Sequence, residues 1–193
     1  MDDSRTKALQ ERTDAKLRFA NVHLDELKSL EPLTGDDFDR AHQESFLFHL
    51  FGARDALLAE LNHYYGAGIE DNILSLGRIR KALKQQGIQS PELQTLYELE
   101  HDNSSWFRQA KDMRDYSMHV QNVPRTYHLG GEDHGKVKLK NPRSGMLTGL
   151  HFVEEFDDWL KKMGALVRSL RDSALARPST NASFQGTPAS VRR

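Results

Sequence analysis

Apolar residues recur every three or four positions over most of the chain, and that spacing predicts helices. Leu17, Ala20, Leu24 and Leu27 make one stripe, in a first helix that Pro32 brings to an end. Thr34 then offers a cap oxygen, with Asp36 and Asp37 at the positive end of the next helix. That second segment, FDRAHQESFLFHLFGARDALLAELNHYYG, is the most apolar. Phe46, Leu50, Ala53, Leu57, Leu61 and Tyr64 form its stripe, and Phe48, Phe51 and Leu58 widen it. A helix apolar over so much of its circumference belongs at the centre of a bundle or at a subunit interface.

A shorter helix follows with Ile73, Leu76, Ile79 and Leu83, and Gly87 closes it. Ser90 and Pro91 are a start signal, a cap hydroxyl followed by proline at the first helical position. From there Leu93, Leu96, Leu99, Trp106, Ala110, Met113 and Ser117 predict one long helix reaching about Asn122, since Pro124 disfavours helix just before it. The pattern then changes. Glycine pairs, prolines and the alternation KVKLK mark 123–149 as a basic loop, with a small hairpin across Gly130–Gly135. Thr148 is the expected cap of a last helix striped by Val153, Phe156, Leu160, Met163, Val167 and Leu170. The expected fold is all-α: an antiparallel four- to five-helix bundle over residues 1–173, with that loop before its last helix. Residues 174–193, rich in Pro, Ser, Thr, Asn and Arg, are expected to be a disordered tail.

Length and charge narrow the class. The 193 residues suffice for one domain, and 27 basic against 28 acidic side chains exclude a globally basic nucleic-acid protein, so any such role rests on a local patch. Cysteine is absent, which removes disulfides, thiolate metal sites and cysteine nucleophiles. No apolar stretch approaches the roughly 20 residues of a membrane span, and the N-terminus is polar and charged. A cytoplasmic protein without membrane contact is expected.

The candidate chemistry lies in MRDYSMHVQN, where Arg114 precedes His119 by five positions. Arg18 and His23 repeat that spacing, so spacing alone decides nothing, and those two are expected at the surface. Asp115 sets the second pair apart. It shares a helix face with His119 four residues on, where a carboxylate would orient the imidazole and raise its basicity. The pair also adjoins the basic loop, whose Arg125, Tyr127, His128, Lys136 and Lys138, with Lys140 and Arg143, offer charge and stacking to a phosphate-rich strand. Five residues turn a helix by roughly 500°, so Arg114 and His119 diverge by about 140° on a regular helix. They meet at one phosphate only if the last turn distorts or two copies pair across a two-fold axis. Arg54 and Asp55, charged amid apolar neighbours, are candidates to support the cleft or to form a structural ion pair. No His-x3-His or H-E-x-x-H spacing occurs, so neither metal nor other cofactor is expected, although His49, His119 and His151 could converge in space. His49 itself reads as a hydrogen-bonded core or interface histidine.

An all-α bundle with arginine, a polar residue and histidine near the end of its penultimate long helix resembles the HEPN superfamily, through Arg114, Asp115 and His119 over roughly residues 10–173. The resemblance implies a metal-independent, homodimeric endoribonuclease, in a toxin–antitoxin or phage-defence setting with an antitoxin or other protein partner. In such an enzyme the RNA 2′-hydroxyl attacks, histidine moves the proton and arginine steadies the phosphate. The alternative is a non-catalytic module binding a nucleotide, an RNA or a protein through the same cleft or through the aromatic second helix.

Overall fold

The computed structural model describes residues 3–30, 37–119, 123–132 and 134–176. Among them the elements run α1 (Asp3–Ser29), α2 (Asp37–Tyr65), a single 3-10 turn (Asp71–Ile73), α3 (Leu76–Gln85), α4 (Pro91–His101), α5 (Trp106–His119), β1 (Arg125–Tyr127), β2 (Val137–Leu139) and α6 (Phe152–Leu175). The all-α expectation holds, with two short strands as its exception. The expected Thr34 cap, the helix end at Asn122 and nearly all of the expected tail lie outside the described residues. Helix α6 runs through Ala174 and Leu175, two residues past the expected domain boundary, because Ala174 is buried against the bundle.

Helices α1 and α2 form a long antiparallel pair. Thr13 meets Glu60, Phe19 meets His49 and His23 meets His42, so the register descends α1 while it climbs α2. The inward stripe of α1 is as expected, with Ala20, Leu24 and Leu27 fully buried. The core has two clusters. One gathers Phe46, Phe51, Phe107, Met113, Leu139, Phe152, Phe156 and Trp159 from α2, α5, β2 and α6. Its centre is Phe46 stacked on Phe156, ring centroids 4.5 Å apart and planes within 10°. The other gathers Leu57, Leu61, Ile79, Leu83, Leu93, Leu96, Val167 and Leu170 from α2, α3, α4 and α6. Leu17 and Leu166 pack against both.

Charged groups lock the helices where they cross. Arg171 of α6 donates to Glu60 of α2 at 2.8 and 2.9 Å and to Asp14 of α1 at 2.8 Å, and Thr13 also donates to Glu60. Buried carboxylates are tolerated when paired and hydrogen-bonded in this way.

Local chemistry explains the boundaries. Helices α2 and α3 close with the same pair of bonds. Ala67 N–H reaches Asn62 C=O and Gly66 N–H reaches His63 C=O, while Ile88 and Gly87 do the same to Leu83 and Lys84. Gly66 at φ 62° and Gly87 at φ 73° occupy the left-handed position that this closure requires. Ile73 belongs to the 3-10 turn and not to the α3 stripe, because α3 starts only after Ser75 accepts from Arg78 N–H.

The expected single helix from Pro91 is two helices. Ser105 accepts from Arg108 N–H at 3.0 Å and donates to Leu99 C=O at 2.6 Å, while Asp102 accepts from Ser104 N–H at 2.9 Å. These short polar side chains satisfy the backbone locally, and the chain turns. Thr148 does not cap α6. Its hydroxyl accepts from Leu139 N–H at 3.1 Å, tying the loop to β2, and the N–H groups of Leu150 and His151 are met by Glu155 and Glu154.

Candidate functional site

The expected hairpin is present. Arg125 lies opposite Leu139, Thr126 opposite Lys138 and Tyr127 opposite Val137, and bonds from His128 N–H to Lys136 C=O and from Gly135 N–H to His128 C=O extend the pairing. Alternation puts Val137 and Leu139 against the core and Lys136, Lys138 and Lys140 on the opposite face. Tyr127 is 54% exposed, and His128 is half-buried with no hydrogen bond to its Nε2.

Arg125, expected to guide substrate, is engaged in a buried ion pair. Its guanidinium is 9% exposed and forks onto Asp39 of α2, which is 1% exposed, with N–O distances of 2.6 and 3.0 Å. Nε donates to Gln43 at 3.2 Å, and the guanidinium carbon lies 4.8 Å from the centre of the Phe152 ring. The planar fork suits this buried, stacked pairing, and Arg125 spends its charge fastening the hairpin to the bundle.

Arg114 and Asp115 lie together on the penultimate turns of α5. Arg114 Nε is 2.9 Å from Asp115 Oδ1, and Lys111 Nζ donates to Oδ2 at 2.7 Å. The Asp115 carboxylate is thus held by Lys111 and Arg114, and no hydrogen bond joins it to His119 among the described residues. The Arg114 guanidinium also sits 5.0 Å from the Phe51 ring centre, drawing it back along the bundle. His119 is exposed at the end of α5. The structure therefore brings Arg114 to Asp115 and leaves His119 apart from both within one protomer.

The sequence did not single out Asp112, the buried anion of this region. Arg108 Nε and Arg143 Nε approach its Oδ1 at 3.2 and 3.0 Å, so Arg143 pins the loop onto α5. These are charge contacts: neither the Nε–H bonds of Arg108 and Arg114 nor Asp112 Oδ1 takes part in an aligned hydrogen bond. The Arg108–Asp112 and Lys111–Asp115 spacings of four are the signal that could have found this chain of pairs. Arg54 donates to Glu100 at 2.9 Å and to Asp55 at 2.7 Å, so it and Asp55 belong to a structural ion pair joining α2 to α4.

A family model described as a family of unknown function, DUF6586, matches residues 8–176. The chain belongs to the DUF6586 family. The match takes in the six helices almost whole together with the hairpin, so the family unit and the folded unit coincide. No curated protein and no solved structure is significantly similar to this DUF6586 chain. No helix among the described residues is long and apolar enough to cross a membrane. Nor does any group of three or more His, Asp or Glu among those residues gather in a metal-binding arrangement, so His49, His119 and His151 do not converge.

Proposed function

We propose that this chain is a non-catalytic, HEPN-like helical module that binds single-stranded RNA along the lysine face of its hairpin. The observation that carries the reading is the register of β2. Lys136, Lys138 and Lys140 share one face, and alternate residues of a strand are about 6.6 Å apart, a step comparable to the reach between phosphates of an extended strand. Arg125 and Arg143, anchored on Asp39 and Asp112, hold that face on the bundle. Tyr127 pairs with Val137 and lies on the other face of the hairpin, so the lysine face offers charge rather than that ring to a strand.

Metal-independent cleavage by a homodimer is the second reading, favoured by the exposure of His119 at the end of α5, the helix that also carries Arg114. One protomer holds Asp115 away from His119, so this reading needs a partner copy or a rearranged last turn.

One experiment separates them. Labelled single-stranded RNA is incubated with the full chain in EDTA, and both fluorescence anisotropy and strand ends are followed. Binding that survives without cyclic-phosphate ends, and that Lys136→Glu with Lys138→Glu and Lys140→Glu abolishes, supports the module. Cleavage lost in His119→Ala selects the enzyme. Absence of RNA binding at low salt, or binding indifferent to the three lysines, overturns the proposal.

A further inference from the structure

The outer face of the α1–α2 pair carries a cluster that neither reading uses. His23 Nδ1 and His42 Nδ1 are 3.1 Å apart, across two helices. His49 stacks on His23 with ring planes within 7° and centroids 5.5 Å apart. Phenylalanines surround the three rings: Phe19 and Phe48 lie edge-on to His49, and Phe38 lies against His42. These side chains are not buried as their apolarity would suggest. Phe19 is 46% exposed, Val22 55%, Phe38 55% and Phe48 48%. Three exposed phenylalanines thus pack against the half-buried imidazoles on the protein surface.

The spacing of the two nitrogens fits one chemistry closely. A tetrahedral zinc ion with Zn–N bonds of about 2.0–2.1 Å sets neighbouring ligand nitrogens about 3.3–3.4 Å apart. The pair is within a few tenths of an ångström of one edge of that tetrahedron. Neutral imidazoles are the form that ligates. The ring whose Nδ1 now carries the shared proton would ligate in its other tautomer, with the proton on Nε2. Among the described residues no third His, Asp or Glu completes the set on the same chain. Two ligands make half a structural zinc site, and structural zinc sites are four-coordinate.

We infer that His23 and His42 bind a divalent transition-metal ion jointly with His23 and His42 of a second copy, across a two-fold axis through the exposed phenylalanine face. A two-fold contact is self-complementary, so one patch supplies both halves of the ligand set. Phe19, Phe38 and Phe48 then form the apolar collar that excludes water from the ion. His49, stacked behind His23, is a positioning residue that fixes the plane of that ring.

The test uses the full chain with zinc chloride alone as the probe, after treatment with EDTA. Light scattering gives the mass, and isothermal titration gives the stoichiometry. The expected result is a doubling of mass with one zinc per two chains, reversed by EDTA. His23→Gln and His42→Gln each abolish both responses while far-ultraviolet circular dichroism stays unchanged. Phe38→Ser with Phe48→Ser weakens the zinc-driven association at least tenfold without unfolding the chain. Failure to take up zinc at micromolar concentration, one zinc per chain with unchanged mass, or doubling that persists in His42→Gln would overturn the assignment. Indifference to the two phenylalanine changes would equally remove the face from it. The hairpin residues play no part in this measurement, so its outcome and that of the RNA experiment are separable.

Discussion

Arg125 and Asp39, 86 positions apart in the chain, form a two-pronged ion pair with both partners withdrawn from water. The hairpin thereby acquires a fixed seat on α2 that its few backbone hydrogen bonds could not supply. Removing one partner strands the other as a buried charge. Arg125→Ala and Asp39→Ala are each expected to cost about 3–5 kcal/mol, measured by urea unfolding. Arg125→Lys keeps the charge but loses the fork and the stacking on Phe152, so it should recover only part of that loss.

The histidine cluster makes stability depend on pH. His23 titrates below 6.5 through burial, then repulsion from His42, with Glu26 opposing; His49 does so through burial, then Lys16 and His23. The unfolded chain takes these protons at the ordinary value, so just below pH 6.5 it binds more protons than the folded chain. The contribution is complete above that window and is lost as pH falls through it. In EDTA, the urea midpoint should drop between pH 7.5 and 5.5, and a His23→Gln, His49→Gln variant should show a flatter profile.

Ser105 does two jobs at the corner between α4 and α5, receiving Arg108 N–H and bonding Leu99 C=O. Ser105→Ala should destabilise the chain by about 1 kcal/mol, the usual worth of a helix cap. The neighbouring Ser104, exposed and with its hydroxyl donated to Asp102, should cost less when changed to Ala, and thermal melts of the two variants decide the order.

Salt offers a check on the lysine face. Neutralising about three phosphates of a single strand gives a slope of about −2 in log affinity against log salt. Replacing Lys138 alone with Ala should make that slope shallower by about 0.7. A slope that does not respond would place the RNA elsewhere on the molecule.

Much of this fold is legible because burial repeats with the period of the helix. Leu24, Phe46, Leu57 and Phe156 follow from that period alone, and KVKLK announces a strand with one wet face. The corner at Asp102–Ser105 is hidden because Leu96, Leu99, Trp106 and Ala110 keep helical spacing straight across it, and only the short polar side chains mark the turn. At the candidate site, the nearness of Arg114 and Asp115 is plain from adjacency. Their alliance with Lys111, and the burial of Arg125 by Asp39, depend on which surfaces meet. A basic residue in a basic loop looks identical in sequence whether it faces solvent or a distant carboxylate.

The two hydrophobic clusters do not divide the molecule into independent halves. Helices α2 and α6 thread both, and Leu17 of α1 and Leu166 of α6 pack against both clusters where they adjoin. Melting one cluster would strip one end of each shared helix and so withdraw the support of the other. Heating should therefore unfold the whole domain in one cooperative step, with calorimetric and van't Hoff enthalpies in agreement.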